Sequence, residues 1–119
     1  MTAKIYGDTP GGDFLQHCDS QADVSSQVVK ASHGVFFEIT GSNNSSSTRY
    51  IQIYNSATVP TDGAVPALPP ITVPPYGVFS MSFAQGVRFD TGISWASSTT
   101  RATKSESGVG DVWAAVSFK

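Results

Sequence analysis

A chain of 119 residues makes one domain, long enough to bury a core without disulfide or metal staples. Only 13% of its residues are charged and the net charge is −2, against about 25% charged residues in ordinary soluble domains, so binding to nucleic acid through a basic face is excluded. Polarity is carried by Ser, Thr, Asn, Gln and Gly, many of which suit helix interiors poorly. An all-β fold is expected.

Residues 1–22 hold Gly7, Pro10, Gly11 and Gly12 with little periodicity and read as an irregular N-terminal arm. Within it, Asp13 to Ser20 is the one stretch that a short helix could use. The β-sandwich domain is expected over residues 23–119. Val24 to Ala31 forms a first strand, ended by the turn signal Ser32-His33-Gly34. Val35, Phe37 and Ile39 then point one way, with Phe36, Glu38 and Thr40 on the other side. Gly41 to Ser47 is a polar hairpin loop carrying two formal glycosylation sequons, Asn43-Asn44-Ser45 and Asn44-Ser45-Ser46. Matches of that kind arise by chance in a run so rich in Asn and Ser.

The strand Thr48 to Ser56 places Ile51 and Ile53 toward the core. It offers Tyr50, Gln52 and Tyr54 to the opposite side, where rings with a polar tip suit a half-wet contact. The connector that follows carries Pro60, Pro66, Pro69, Pro70, Pro74 and Pro75. Proline cannot donate to a ladder, so at most a short edge strand fits, around Ile71 to Val73. Val78 to Phe83 alternates strictly, with Phe79, Met81 and Phe83 inward and Ser80 and Ser82 outward. Gln85-Gly86 is read as a turn into Val87-Arg88-Phe89, and Thr91-Gly92 as a turn into Ile93 to Ser97. Residues 99–110 read as loop. The last strand, Asp111 to Lys119, aligns Val112, Ala114, Val116 and Phe118, with Trp113 opposite. These elements amount to seven to eight strands of an antiparallel, jelly-roll-like β-sandwich.

Catalytic chemistry has little to stand on. His17-Cys18-Asp19 is the only local cluster of potential ligands or nucleophiles, and neighbouring residues rarely converge on one metal. Cys18 is the single cysteine, so no internal disulfide forms. Most acids fall in expected loops, and no pair is set up for glycoside hydrolysis. Neither histidine accompanies a Gly-x-Ser-x-Gly elbow, and the glycines make no phosphate loop. No catalytic residue, metal ligand or cofactor is assigned. The N-terminus lacks the apolar core of a signal peptide, and no apolar run approaches the roughly 18 residues that span a bilayer. Synthesis in the cytosol and no membrane contact are expected. Tyr50, Tyr54, Tyr76 and Trp113 are the candidate interface residues, and Trp113 is the best platform for stacking on a sugar ring.

Arg49-Tyr50-Ile51-Gln52-Ile53-Tyr54-Asn55, the step to Val59-Pro60-Thr61-Asp62-Gly63-Ala64-Val65-Pro66, and Arg88-Phe89-Asp90-Thr91-Gly92-Ile93 carry a resemblance. With Trp95 to Thr100 and the closing strand, this part of the chain resembles small structural proteins of tailed bacteriophages. The resemblance covers the last 70 residues or so, and its motifs are structural. It implies a non-enzymatic virion protein, foremost a capsid decoration (cement) protein that stabilises the head as a homo-oligomer. A trimer is favoured, because it would suit three-fold positions of an icosahedral shell. The implied partners are copies of the chain and the major capsid protein or a tail protein. A tail, baseplate or fibre component, or a carbohydrate-binding module, is the alternative.

Overall fold

The structure, a computed structural model, describes residues 24–119 in full and the strands Lys4–Asp8 and Phe14–Asp19 by their backbone. Among the described residues there is no helix. The strands run β1 Lys4–Asp8, β2 Phe14–Asp19, β3 Ser26–Lys30, β4 Gly34–Asn43, β5 Arg49–Tyr54, β6 Ile71–Val73, β7 Val78–Phe89, β8 Ile93–Ser98 and β9 Val112–Phe118. One antiparallel sheet has the order β3-β8-β5-β6. The other has three fully described strands, β9-β4-β7, which the backbone of β2 and then β1 extends to five.

Seven strands therefore lie within residues 24–119, and two more lie in the segment expected to be an irregular arm. The correction is physical. Gln16 to Asp19 find ladder partners on β9, from Phe118 to Ala115, and a ladder overrides weak local periodicity. The same pairing makes a strand of Phe14–Asp19, within the one stretch, Asp13 to Ser20, that a short helix could have used. The remaining residues of the arm lie outside the described ones.

The two sheets face each other across one core. Phe36, Ile39, Phe79, Phe89, Val112, Val116 and Phe118 from one sheet meet Val29, Ile51, Ile53, Val73, Ile93 and Trp95 from the other. Trp95 is fully buried, and Phe36 stacks on Phe89 at 6.0 Å and meets Phe83 edge-on at 6.2 Å. Rings of this size contribute large apolar area, which is why the centre of the core is aromatic.

Strict alternation fails at two places. Phe36 and Ile39 are both buried, where Val35, Phe37 and Ile39 were expected to share a face. A bulge at Phe37 shifts the register of β4 against both neighbours between Phe36 and Glu38, so one side chain is skipped and the faces exchange. Lys119 Nζ lies 5.5 Å from the Phe37 ring, which the bulge turns away from the core. The second place is β7, which does not turn at Gln85-Gly86 but continues through it. Phe36 pairs with Val87 and Glu38 with Ser82, so residues 83–86 bulge opposite Phe37. Gly86 sits at φ 77°, and a Cβ there would approach Val35 Cγ1 to 2.3 Å, so the bulge needs glycine.

The short edge strand expected near Ile71 to Val73 is present as β6, paired to β5. The final strand is also as expected: Val112, Ala114, Val116 and Phe118 are buried and Trp113 faces outward.

Candidate functional site

Sheet faces decide which of the candidate side chains are available. On β5, Ile51 and Ile53 enter the core, and Gln52 and Tyr54 occupy the outer face of their sheet. That outer face is roofed. Gln52 is fully buried, and its Nε2 donates toward the carbonyls of Thr100, Arg101 and Thr103 at 3.0 to 3.1 Å. Its Oε1 accepts the Tyr54 hydroxyl. The roofing loop is latched to the proline connector through Gly63 N to Lys104 O and Lys104 N to Ala64 O, both 2.8 Å. The buried Lys104 ammonium adds a 2.6 Å bond to the Pro60 carbonyl.

Tyr54 is consequently 4% exposed and is not a contact offered to a neighbour, which corrects the expectation drawn from alternation alone. Burial pushes its phenol up to about 12 from the usual 10.0. Tyr50, at the other end of β5, is half-buried.

The remaining two candidates gather elsewhere. Among the described residues, Tyr76, Val78, Val109 and Trp113 are four of the six strongly exposed large apolar side chains. All four lie at the end of the fold marked by the β4–β5 loop, where Tyr76 N bonds Ser45 O and Asn44 N to Asp111 O joins the turn holding Val109. Ser42 pairs with Val78 on β7 and with Trp113 on β9, so Val78, Ser42 and Trp113 form one row across the outer face of their sheet. Ser80, Thr40 and Ala115 make the next row. A shallow groove of ≈ 230 Å³ runs beside the indole, floored by Thr40, Gly41, Ser42, Ala114 and Ala115.

Three turns build the rim of this end. Asn43 is 1% exposed, and its Nδ2 donates toward the carbonyls of Ser47, Val73 and Pro74 at 2.8, 3.2 and 3.1 Å. Its Oδ1 accepts from Ser45 N and Ser45 Oγ at 3.0 and 2.8 Å. Asn43 therefore ties the β4–β5 loop to the segment after β6, and the burial of its amide disposes of its sequon. Arg49 Nε bonds Asp111 Oδ2 at 2.9 Å, and the same oxygen accepts Gly108 N, which fixes the turn before β9.

The third turn, residues 74–77, closes with Gly77 N to Pro74 O at 3.0 Å. Pro75 occupies its second position and Tyr76 its third, at φ 57°. This is the type II arrangement, whose third position favours Gly or Asn. A tyrosine held there is strained, and it is also 72% exposed.

The structure thus brings Tyr76 and Trp113 to one end, leaves Tyr50 on the other sheet and buries Tyr54. His17, Cys18 and Asp19 lie on β2, whose side chains are outside the described ones. Sequence reasoning missed Asn43 and Gln52 as the polar anchors of two loop systems. For Gln52, the available signal was an amide in the middle of an apolar strand; for Asn43, only a sequon that pointed the other way. A second cleft, ≈ 350 Å³, opens between Tyr54 and the connector near Val59 and Val65, with no titratable side chain besides Tyr54 in its lining. Comparison with protein-family models, curated proteins and solved structures finds no match.

Proposed function

We propose that this chain is a non-enzymatic structural protein of a bacteriophage virion, foremost a capsid decoration protein held in place as a homo-oligomer. The observation that carries the reading is the rim bearing Tyr76, Val78, Val109 and Trp113. Exposed aromatic side chains on a rigid, sparsely charged surface are what a protein-protein anchor uses, because they desolvate at low entropic cost. A jelly-roll-like winding belongs to the same proposal, supported by the passage of β3 to β4, β4 to β5, β6 to β7, β7 to β8 and β8 to β9 from one sheet to the other.

The surface suits attachment that does not rely on long-range charge. With 13% charged residues, contact with a capsid would be weakly salt-dependent. The test is occupancy on purified particles. Wild-type chain is expected at a copy number matching the capsid lattice, and Trp113→Ala or Tyr76→Ala is expected to lower occupancy at least tenfold with the fold intact. A handful of copies per particle would move the assignment to the tail or baseplate. Full occupancy by both variants would overturn the role of the rim.

One observation favours a second reading, a carbohydrate-binding module. The half-exposed Trp113 ring lies beside a groove lined by the hydroxyl-bearing Thr40 and Ser42, and a flat ring next to hydroxyls is the chemistry that receives a sugar. A glycan array decides: a decoration protein is silent on it, whereas a sugar binder gives a signal that Trp113→Ala removes.

A further inference from the structure

The open sheets end in four edge strands, and three of them are guarded against pairing. β6 is three residues long between Pro69-Pro70 and Pro74-Pro75. β3 carries Lys30 and an irregularity between Val28 and Lys30. β1 carries Lys4 and Asp8. Short length, proline, charge and bulges are the usual means of stopping an edge from recruiting another strand.

The fourth edge, the first half of β7, has none of them. Val78-Phe79-Ser80-Met81-Ser82-Phe83 contains no charge, proline or glycine. Among the described residues it pairs with β4 alone.

Which of its peptide groups face outward follows from the register. Asn43 N bonds Gly77 O at 2.8 Å, so that pair is a hydrogen-bonded one, and bonding alternates along an antiparallel ladder. Gly41 with Phe79 and Ile39 with Met81 are then bonded pairs, whereas Val78, Ser80 and Ser82 direct their N–H and C=O groups away from β4. On the other side, β4 is used up by β9 with the complementary phase, as Asn44 N to Asp111 O at 2.7 Å requires.

We propose that this edge pairs with the same edge of a second copy of the chain, antiparallel about a two-fold axis at Ser80. The sequence is self-complementary in that register. Ser80 meets the partner's Ser80 and Val78 meets the partner's Ser82, so each open N–H faces an open C=O. On the inner face Phe79 meets the partner's Met81. Met81 and Phe83 are apolar, pack against the core and stay only half-buried in the single chain; the second copy supplies their missing cover. A dyad at Ser80 is also the placement that engages Val78, Ser80 and Ser82 together. The bulge at residues 83–86 then bends β7 away and ends the ladder. The contact is isologous, so it consumes its own edge and closes at two copies. It does not depend on the virion reading, and it replaces the trimer favoured by the resemblance with a dimer.

Sedimentation equilibrium of the full chain tests it first, with twice the 12.5 kDa chain mass expected. Ser80→Lys sets two ammonium groups opposite each other at the dyad and should weaken the dimer at least tenfold. Ser80 is exposed, so the thermal unfolding of each chain should persist. In a Cys18→Ser background, Ser80→Cys should oxidise to a disulfide-linked dimer, since directly bonded partners lie about 5.5 Å apart between Cα atoms, within disulfide reach. Gln85→Cys, in the bulge, should not. A wild-type monomer or trimer would overturn the proposal, as would a dimer indifferent to Ser80→Lys or a Ser80→Cys chain that cross-links no faster than Gln85→Cys. If Ser80→Lys unfolds the chain, the cross-linking comparison alone decides.

Discussion

Replacing Asn43 by Ala should be among the most damaging single polar substitutions in this fold, and replacing it by Asp should be worse. The Asn43 amide approaches three carbonyls, of Ser47, Val73 and Pro74, and its oxygen accepts two bonds from Ser45. Two amide hydrogens satisfy two carbonyls well at any moment, so two donated and two accepted bonds is the count to use. At about 1 kcal/mol net per bond, the four are worth about 4 kcal/mol. Ser45 and Ser47 lie near the surface and can turn to water, whereas the bond to Val73 O is buried. The expectation for Asn43→Ala is therefore a loss of about 3 kcal/mol. Asn43→Asp keeps the volume but points a carboxylate oxygen at three carbonyls, so it should cost about 4 kcal/mol or more. Urea unfolding measures both, read as a lower midpoint at an unchanged slope. A loss below about 1 kcal/mol for Asn43→Ala, or an Asn43→Asp protein more stable than Asn43→Ala, would refute this account of the amide.

Further expectations concern the aromatic residues and one serine. Trp95→Ala, in the core, should cost about 3–5 kcal/mol, whereas the half-exposed Trp113→Ala should cost under about 1 kcal/mol; thermal or urea denaturation separates them. Tyr76→Gly relieves a left-handed strain of about 1 kcal/mol and adds glycine's entropic cost of about 0.5–1 kcal/mol. Its measured stability should therefore stay level while particle attachment falls. Because burial raises the Tyr54 phenol to about 12, the folded state keeps a proton that the unfolded chain releases near its ordinary 10.0. Stability should accordingly decline as pH climbs from 10 toward 12, with no such contribution below that range, and Tyr54→Phe should flatten the decline and remove the late phenolate from an ultraviolet titration. Ser94 Oγ is buried without a hydrogen-bond partner among the described residues, so Ser94→Ala should be neutral or stabilising by up to about 1 kcal/mol in the same denaturation assay.

Period-two patterning was legible wherever a strand has one wet face. Val78 to Phe83 follows it residue by residue, and the last strand follows it from Val112 to Val116, beyond which Ser117 is buried as well. The prolines correctly confined β6 to a short edge. The pattern misled where tertiary structure covers the second face. Tyr54 and Gln52 look like outward residues locally, but the loop of residues 99–107 caps Gln52, and Tyr54 lies under the proline connector and bonds Gln52. Bulges were equally invisible, because a skipped residue at Phe37 leaves no local mark, and Gln85-Gly86 reads the same as a turn or as a bulge. Of the candidate interface, exposure at Tyr76 and Trp113 was legible from the proline turn and from a strand's odd residue. Their arrival at one end of the fold was not, since it depends on Ser42 pairing with Val78 and Trp113 at once.

The roof over Gln52 makes the two sides of this molecule unequal as material for change. On the roofed side, a substitution at Gln52 or Tyr54 disturbs the strand below and the loop above together, so that side is frozen. On the open side, Thr40, Ser42, Ser80, Ser82 and Ala115 stand on the outer face of a sheet whose inner face does the packing. That face can be rewritten a residue at a time with little effect on the core. A designer seeking a new binding specificity would start there, between Trp113 and Val78, and leave the proline-laced side untouched.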